Sequence, residues 1–234
     1  MPVLPPLQLE GSGEAFLFNP FNSSFIGKNK PFTPFYFSGL NDIVYLHRIK
    51  QKTMNQTVII RKETPEDYDR VIELTEKAFE TLEISDHNEG KLVDKLRKAP
   101  TFVEELSLVA ELNEQVVGHI LFTPVVIEKD QHQQKFQSLV LAPVSVLPEF
   151  QKMGIGGQLI RAGHQKAKEL GFQSAILLGH PEYYPRFGYK PASTWGIKTH
   201  YELPSDDVFM AVELTEGLLS NVSGMVIFPP EFGG

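Results

Sequence analysis

The run Leu141-Ala142-Pro143-Val144-Ser145-Val146-Leu147-Pro148-Glu149-Phe150-Gln151-Lys152-Met153-Gly154-Ile155-Gly156-Gly157 decides how this chain is read. Its first half is an apolar strand, and its second half holds Gln-x-x-Gly-x-Gly and opens an amphipathic helix. Glycines in such a turn let backbone N–H groups approach a ligand closely. The helix N-terminus adds partial positive charge, so the junction suits a diphosphate. Two other phosphate motifs fail on residues. No Gly-x-x-x-x-Gly-Lys-Ser/Thr occurs, and a Gly-x-Gly-x-x-Gly fingerprint would need glycine where Leu159 stands. Taken alone, the turn also fits a plain glycine-rich strand–helix junction. Pro143 adds information: it cannot donate to a strand ladder, so it predicts a bulge or a parting of neighbouring strands beside the turn.

Upstream, Thr57–Arg61 reads as a short β-branched strand. Thr64-Pro65-Glu66-Asp67 supplies a cap, a proline at the first helical position and first-turn acids. Val71, Leu74, Thr75, Ala78 and Phe79 then follow at helical spacing. A second helix is predicted over Glu89–Arg97. Next come three strands, around Leu106–Leu112, Val116–Ile127 and Phe136–Leu147, joined by short polar tips as an antiparallel meander. Downstream of the glycine turn, the helix runs to about Leu170 and is closed by Gly171. A buried strand Ala175–Leu178, an aromatic segment Pro181–Tyr189 and late strands near Val208–Leu214 and Gly224–Phe228 complete an α/β chain with a mixed sheet.

Composition limits the function classes. Charged residues are 22% and apolar residues 41% of 234, which is ordinary for a globular protein. A net charge of −7 argues against a general nucleic-acid or anionic-membrane binder. The longest apolar runs, such as Leu139–Val144, are far too short to span a bilayer. The chain has no cysteine, which removes disulfides, thiolate metal sites and cysteine nucleophiles. A soluble, cytoplasmic protein is expected. The averages conceal an uneven distribution. Residues 1–53 hold seven Phe and six Pro and carry +2, so the remaining 181 residues carry −9 of the whole chain's −7. Residues 1–53 are therefore read as a poorly ordered Phe/Pro-rich extension, and residues 54–234 as the working domain.

The quoted run resembles the acetyl-CoA-binding motif of the GCN5-related N-acetyltransferase (GNAT) family. Leu178-Gly179-His180-Pro181-Glu182-Tyr183-Tyr184-Pro185-Arg186-Phe187-Gly188-Tyr189 is similar to the second motif of its YhbS-like subgroup. The order of elements from about Met54 onward also matches. The resemblance implies a mixed, mostly antiparallel central sheet flanked by helices, with splayed middle strands. It further implies acetyl-CoA as cosubstrate, held by the backbone around Gln151, Lys152, Met153, Gly154, Ile155, Gly156 and Gly157. Val144, Ser145 and Val146 would offer strand-edge groups to the pantetheine arm. The partner substrate would be an amine acceptor, with no metal, nucleic acid or membrane. A homodimer is open, because late strands in this fold can pair between subunits. With no cysteine to carry it, the acetyl group would pass directly from CoA to the amine.

Tyr184 aligns with the tyrosine that often protonates the departing thiolate in this family, while the residues alone also fit Tyr183, Tyr184, Phe187 and Tyr189 as an aromatic cluster packing the short helix. A phenol with an ordinary pKa near 10 can donate at neutral pH. Glu89, opening the second helix in the acceptor-binding region, is the candidate base. A helix-start carboxylate stabilised by the dipole is an equal reading of the same residue. His119 titrates in a useful range but sits mid-strand. The isolated His132 and His164 show no metal-ligand spacing. A non-catalytic CoA-binding or interaction module on the same fold is the alternative.

Overall fold

The computed structural model describes residues 57–81, 87–129 and 134–233. The proposed Phe/Pro-rich extension, Met54 itself and most of the tip expected over Lys129–Gln134 lie outside them.

Strand β1 (Ile59–Lys62) leads into α1 (Tyr68–Phe79). The turn between them is fastened by Asp67. Its carboxylate accepts the Thr64 N–H at 2.9 Å and two Arg61 guanidinium bonds at 2.7 and 2.9 Å. The Arg61 guanidinium, acting against the burial of the carboxyl, holds Asp67 down to about 2. Helix α1 buries Val71, Leu74, Thr75, Ala78 and Phe79, the stripe that the helical spacing predicts. Helix α2 (Glu89–Lys98) follows, ending before Pro100.

The meander consists of β2 (Ser107–Leu112), β3 (Gln115–Lys129) and β4 (Gln134–Val146). In the β3–β4 register Ile120 faces Val144 and Phe122 faces Leu141, so Ala142 and Pro143 together oppose Leu121 alone. This is the bulge predicted from Pro143. Helix α3 (Ile155–Glu169) ends in a Schellman motif: Phe172 N–H reaches the Ala167 carbonyl at 3.0 Å and Gly171 N–H that of Lys168 at 3.0 Å. Gly171 takes φ 88°, which a side chain would resist.

Strands β5 (Ser174–Leu178), β6 (Lys190–Pro191), β7 (Ile197–Lys198), β8 (Phe209–Glu213) and β9 (Gly224–Ile227) complete the sheet. Its order is β1-β2-β3-β4-β5-β8-β6, with β9 beside β3 and β7 beside β9. Only β4–β5 and β7–β9 are parallel among the described pairs. The expected fold is therefore present, a mixed and mostly antiparallel sheet, with two extra two-residue strands.

Alternation along β3 assigns the two faces. Phe122 packs so closely on α3 that a Cβ on Gly163 would lie 2.3 Å from its ring. His119 points the other way, towards α1 and α2, and so does Ser145 opposite it, whose hydroxyl meets that of Thr75 at 3.1 Å. Among the described residues no helix is long and apolar enough to cross a membrane.

Candidate active site

The junction between β4 and α3 is built mainly from backbone. After a 3-10 turn over Pro148–Phe150, Lys152 and Gly154 take left-handed φ values of 63° and 81°. A Cβ on Gly154 would meet nothing within 4 Å, so conformation rather than space selects glycine there. Gln151 Nε2 donates to the Val146 carbonyl at 3.1 Å and ties the turn to the strand end. The first bond into the helix runs from Gln158 N–H to the Gly154 carbonyl at 3.1 Å. The preceding N–H groups of Ile155, Gly156 and Gly157 therefore have no carbonyl of their own helix to bond. They lie at its positive end, where an anion is favoured. Lys152 and Met153 are exposed at the tip.

Beside this turn the sheet opens. Strands β4 and β5 pair only at Leu139–Ala175 and Val140–Ile176, although β4 continues to Val146 and β5 to Leu178. From Leu141 to Val146 the β5-facing edge of β4 has no described strand partner. Val144 and Val146 have packed side chains, and the Ser145 hydroxyl is taken by Thr75, so these three residues present backbone to the gap.

Tyr184 opens a 3-10 turn, Tyr184–Phe187, on the α3 side of the opening. Its ring is fully buried, edge-to-face with Tyr183 at 5.2 Å and Tyr189 at 5.6 Å. It also lies over Gly179, where a Cβ would fall 2.3 Å from a ring carbon. Its hydroxyl is enclosed and has no hydrogen-bond partner among the described residues. Burial raises the phenol well above 10, so it remains protonated. Tyr189 differs: its hydroxyl meets His164 Nε2 at 3.0 Å.

Glu89 occupies the first position of α2 and is only 7% exposed, a place that suits both a candidate base and a helix-start carboxylate stabilised by the dipole. Tyr184 and Glu89 thus belong to elements that cover opposite faces of the sheet.

His119 lies inside a cluster with no single signature in the sequence. Arg97 of α2 binds both oxygens of Glu63, one of them, Oε2, at 3.2 Å, and stacks 4.3 Å over the Tyr68 ring. The Ser107 hydroxyl donates to Glu63 Oε2 at 2.6 Å. Its contact with His119 Nε2 at 3.0 Å must then be donated by the ring, because the only hydroxyl proton is already used. His119 is held as the Nε2–H tautomer, and burial pushes it down to about 4. A neutral, enclosed imidazole in a structural cluster is a poor base for an amine. Among the described residues no group of three or more His, Cys, Asp or Glu could hold a metal; His132 lies outside them.

Sequence reasoning missed Arg161, whose partner Phe187 it names only within the aromatic segment. The Arg161 guanidinium lies 5.0 Å from the Phe187 ring centroid and donates to the Gly157 carbonyl at 3.2 Å. Nothing in their spacing announces this contact.

A family model described as an acetyltransferase (GNAT) domain matches residues 59–192. The Escherichia coli protein YjhQ, named as an uncharacterized N-acetyltransferase, is 37% identical over 131 residues, covering 56% of this chain and 71% of its own length. Escherichia coli YhbS, named likewise, is 29% identical over 176 residues, covering 75% and 98%. The crystal structure of Escherichia coli YhbS in complex with CoA superimposes with a TM-score of 0.67 at 28% identity, over 76% of this chain and 93% of that one. A Brucella melitensis GNAT-family acetyltransferase in complex with acetyl-CoA gives 0.60 at 36% identity, over 75% and 98%. With the glycine turn, the parted strands and a family match over more than half its length, the chain belongs to the GNAT family of acetyltransferases.

Proposed function

We propose that this protein is a cytoplasmic, acetyl-CoA-dependent N-acyltransferase that moves an acetyl group to a primary amine of a small molecule or peptide, with residues 54–234 as the working domain. The observation that carries this reading is the unpaired edge of β4 beside the left-handed glycine turn. A long ligand with a diphosphate at one end and amides along its arm requires those two features side by side. Solved relatives holding CoA and acetyl-CoA support the choice of ligand. The enclosed Tyr184 hydroxyl, without a partner among the described residues, fits a donor whose acceptor arrives with the ligand.

Bound acetyl-CoA supplies an activated thioester. N–H groups of Ile155, Gly156 and Gly157 hold the diphosphate, with Gln151 keeping the turn in shape and Lys152 and Met153 at its rim. Backbone groups of Val144, Ser145 and Val146 align the arm. The C–N bond forms as the C–S bond breaks. Tyr184 holds the proton that the departing thiolate takes, and the one lost by the amine passes through the opening between β4 and β5 to Glu89 on the other face of the sheet. The sulfur therefore leaves as a thiol rather than an anion.

Thiol release from acetyl-CoA across a panel of amines tests the reading. Tyr184→Phe is expected to lower turnover at least ~10²-fold with little change in the KM for acetyl-CoA. Failure of the unaltered protein to bind CoA at millimolar concentration would sink it.

A further inference from the structure

The three glycines of the turn do different work. Gly154 is selected by its backbone angle, whereas Gly156 and Gly157 are seats for side chains from the second motif. A Cβ on Gly156 would stand 3.2 Å from the Tyr183 hydroxyl. On Gly157 it would stand 3.2 Å from Arg161 and 3.4 Å from the Phe187 ring. The Tyr183 and Arg161 approaches would be tighter than ordinary van der Waals contact and that of the Phe187 ring is ordinary, so no side chain larger than glycine separates the turn from the aromatic segment.

Around these seats the contacts form a closed chain. Phe187 meets Tyr183 at 5.4 Å between ring centroids, and Tyr183 meets Tyr184 edge-to-face at 5.2 Å. Arg186 lies 4.7 Å over the other side of Tyr183. Arg161, on the first turns of α3, joins the Gly157 carbonyl to the Phe187 ring. Tyr184, confined by Tyr183, Tyr189 and Gly179, cannot move independently of this stack.

We propose that Tyr183, Phe187 and Arg161 form a clamp through which occupancy of the glycine turn sets the position of the Tyr184 phenol. These are positioning residues, and the inference rests on the reading of the turn as a diphosphate site. An anion drawn onto the N–H groups of Gly156 and Gly157 pulls on the backbone against which Tyr183 and Phe187 are seated. The displacement passes through two ring contacts to Tyr184. The enzyme thereby aligns its proton donor only when the cosubstrate's phosphates are in place.

ADP is a suitable probe, because it carries a diphosphate and none of the arm that would touch Tyr184 directly. The protein, labelled with 3-fluorotyrosine, is titrated separately with CoA and ADP while the fluorine signal of Tyr184, identified by its loss in Tyr184→Phe, is followed. ADP is expected to shift that signal. Phe187→Leu and the exposed-site variant Arg161→Met should each reduce the shift at saturation to less than half, whereas Phe187→Tyr, which keeps the ring, should retain it. A Tyr184 signal that does not respond to ADP in the unaltered protein, or that responds as fully in both weakened variants as in the unaltered protein, overturns the clamp while leaving CoA binding standing. If the unaltered protein binds neither CoA nor ADP, the diphosphate reading falls, and the clamp with it.

Discussion

Two buried polar clusters flank the same sheet and are built on opposite plans. Under α1 and α2, Glu63, Arg97, Ser107 and His119 exchange charge-assisted hydrogen bonds, with one nitrogen, His119 Nδ1, left over. Against α3, Tyr183, Tyr184, Tyr189 and Phe187 are held by ring packing. There the hydroxyl left without a partner among the described residues is that of Tyr184. The ionic cluster fixes where α2 sits on the sheet. The aromatic one holds the proposed proton donor, Tyr184, in place.

The ionic cluster gives the largest effect by which this contrast can be broken. Glu63→Gln leaves a buried guanidinium without its countercharge and is expected to cost about 3–5 kcal/mol, lowering Tm on the order of 10 °C. Urea unfolding showing a loss below ~1 kcal/mol would mean that the cluster is not structural.

The pH dependence comes next. His119 and His164 are both pushed from 6.5 to about 4, chiefly by burial. Between those values the unfolded chain binds protons that the folded one refuses, so stability falls as pH falls through that window. Unfolding at pH 7 and pH 5 should differ by roughly 2 kcal/mol for each histidine. A flat profile would show that these rings are wetter than the packing implies.

The smallest effect separates the two tyrosines. Tyr184→Phe removes a hydroxyl with no partner and should leave stability within about 0.5 kcal/mol, while Tyr189→Phe loses the bond to His164 and should cost about 1 kcal/mol. Equal losses in thermal unfolding would dissolve the distinction.

What could be read from the residues was whatever backbone chemistry writes locally. Pro143 announced the bulge because proline has no N–H, Gly171 announced the Schellman cap, and the stripe from Val71 to Phe79 gave the buried face of α1. The α/β element order and the glycine turn were legible for the same reason. Strands β6 and β7 were not, since two residues carry no period. The placement of β9 beside β3 was hidden as well, because it pairs segments about a hundred residues apart. The site divides likewise. Tyr184 could be named from its motif, but not that its hydroxyl would lack a partner. Glu63, Arg97, Ser107 and His119 come from separate elements, and their meeting is tertiary. Gly163 looked like one more small residue on an apolar helix face, yet it is the seat of Phe122.

The length of β3 has a consequence for the edge of the sheet. One edge of that strand is covered first by β2, from Ser107 to Leu112, and then by β9 along Val126–Glu128. Without the last strand, a stretch rich in β-branched residues would offer unpaired amides and carbonyls to any passing chain. β9 replaces that offer with a short parallel pairing to β7 at Gly224 and Met225. Strand β9 thus closes a part of the sheet edge that β2 does not reach.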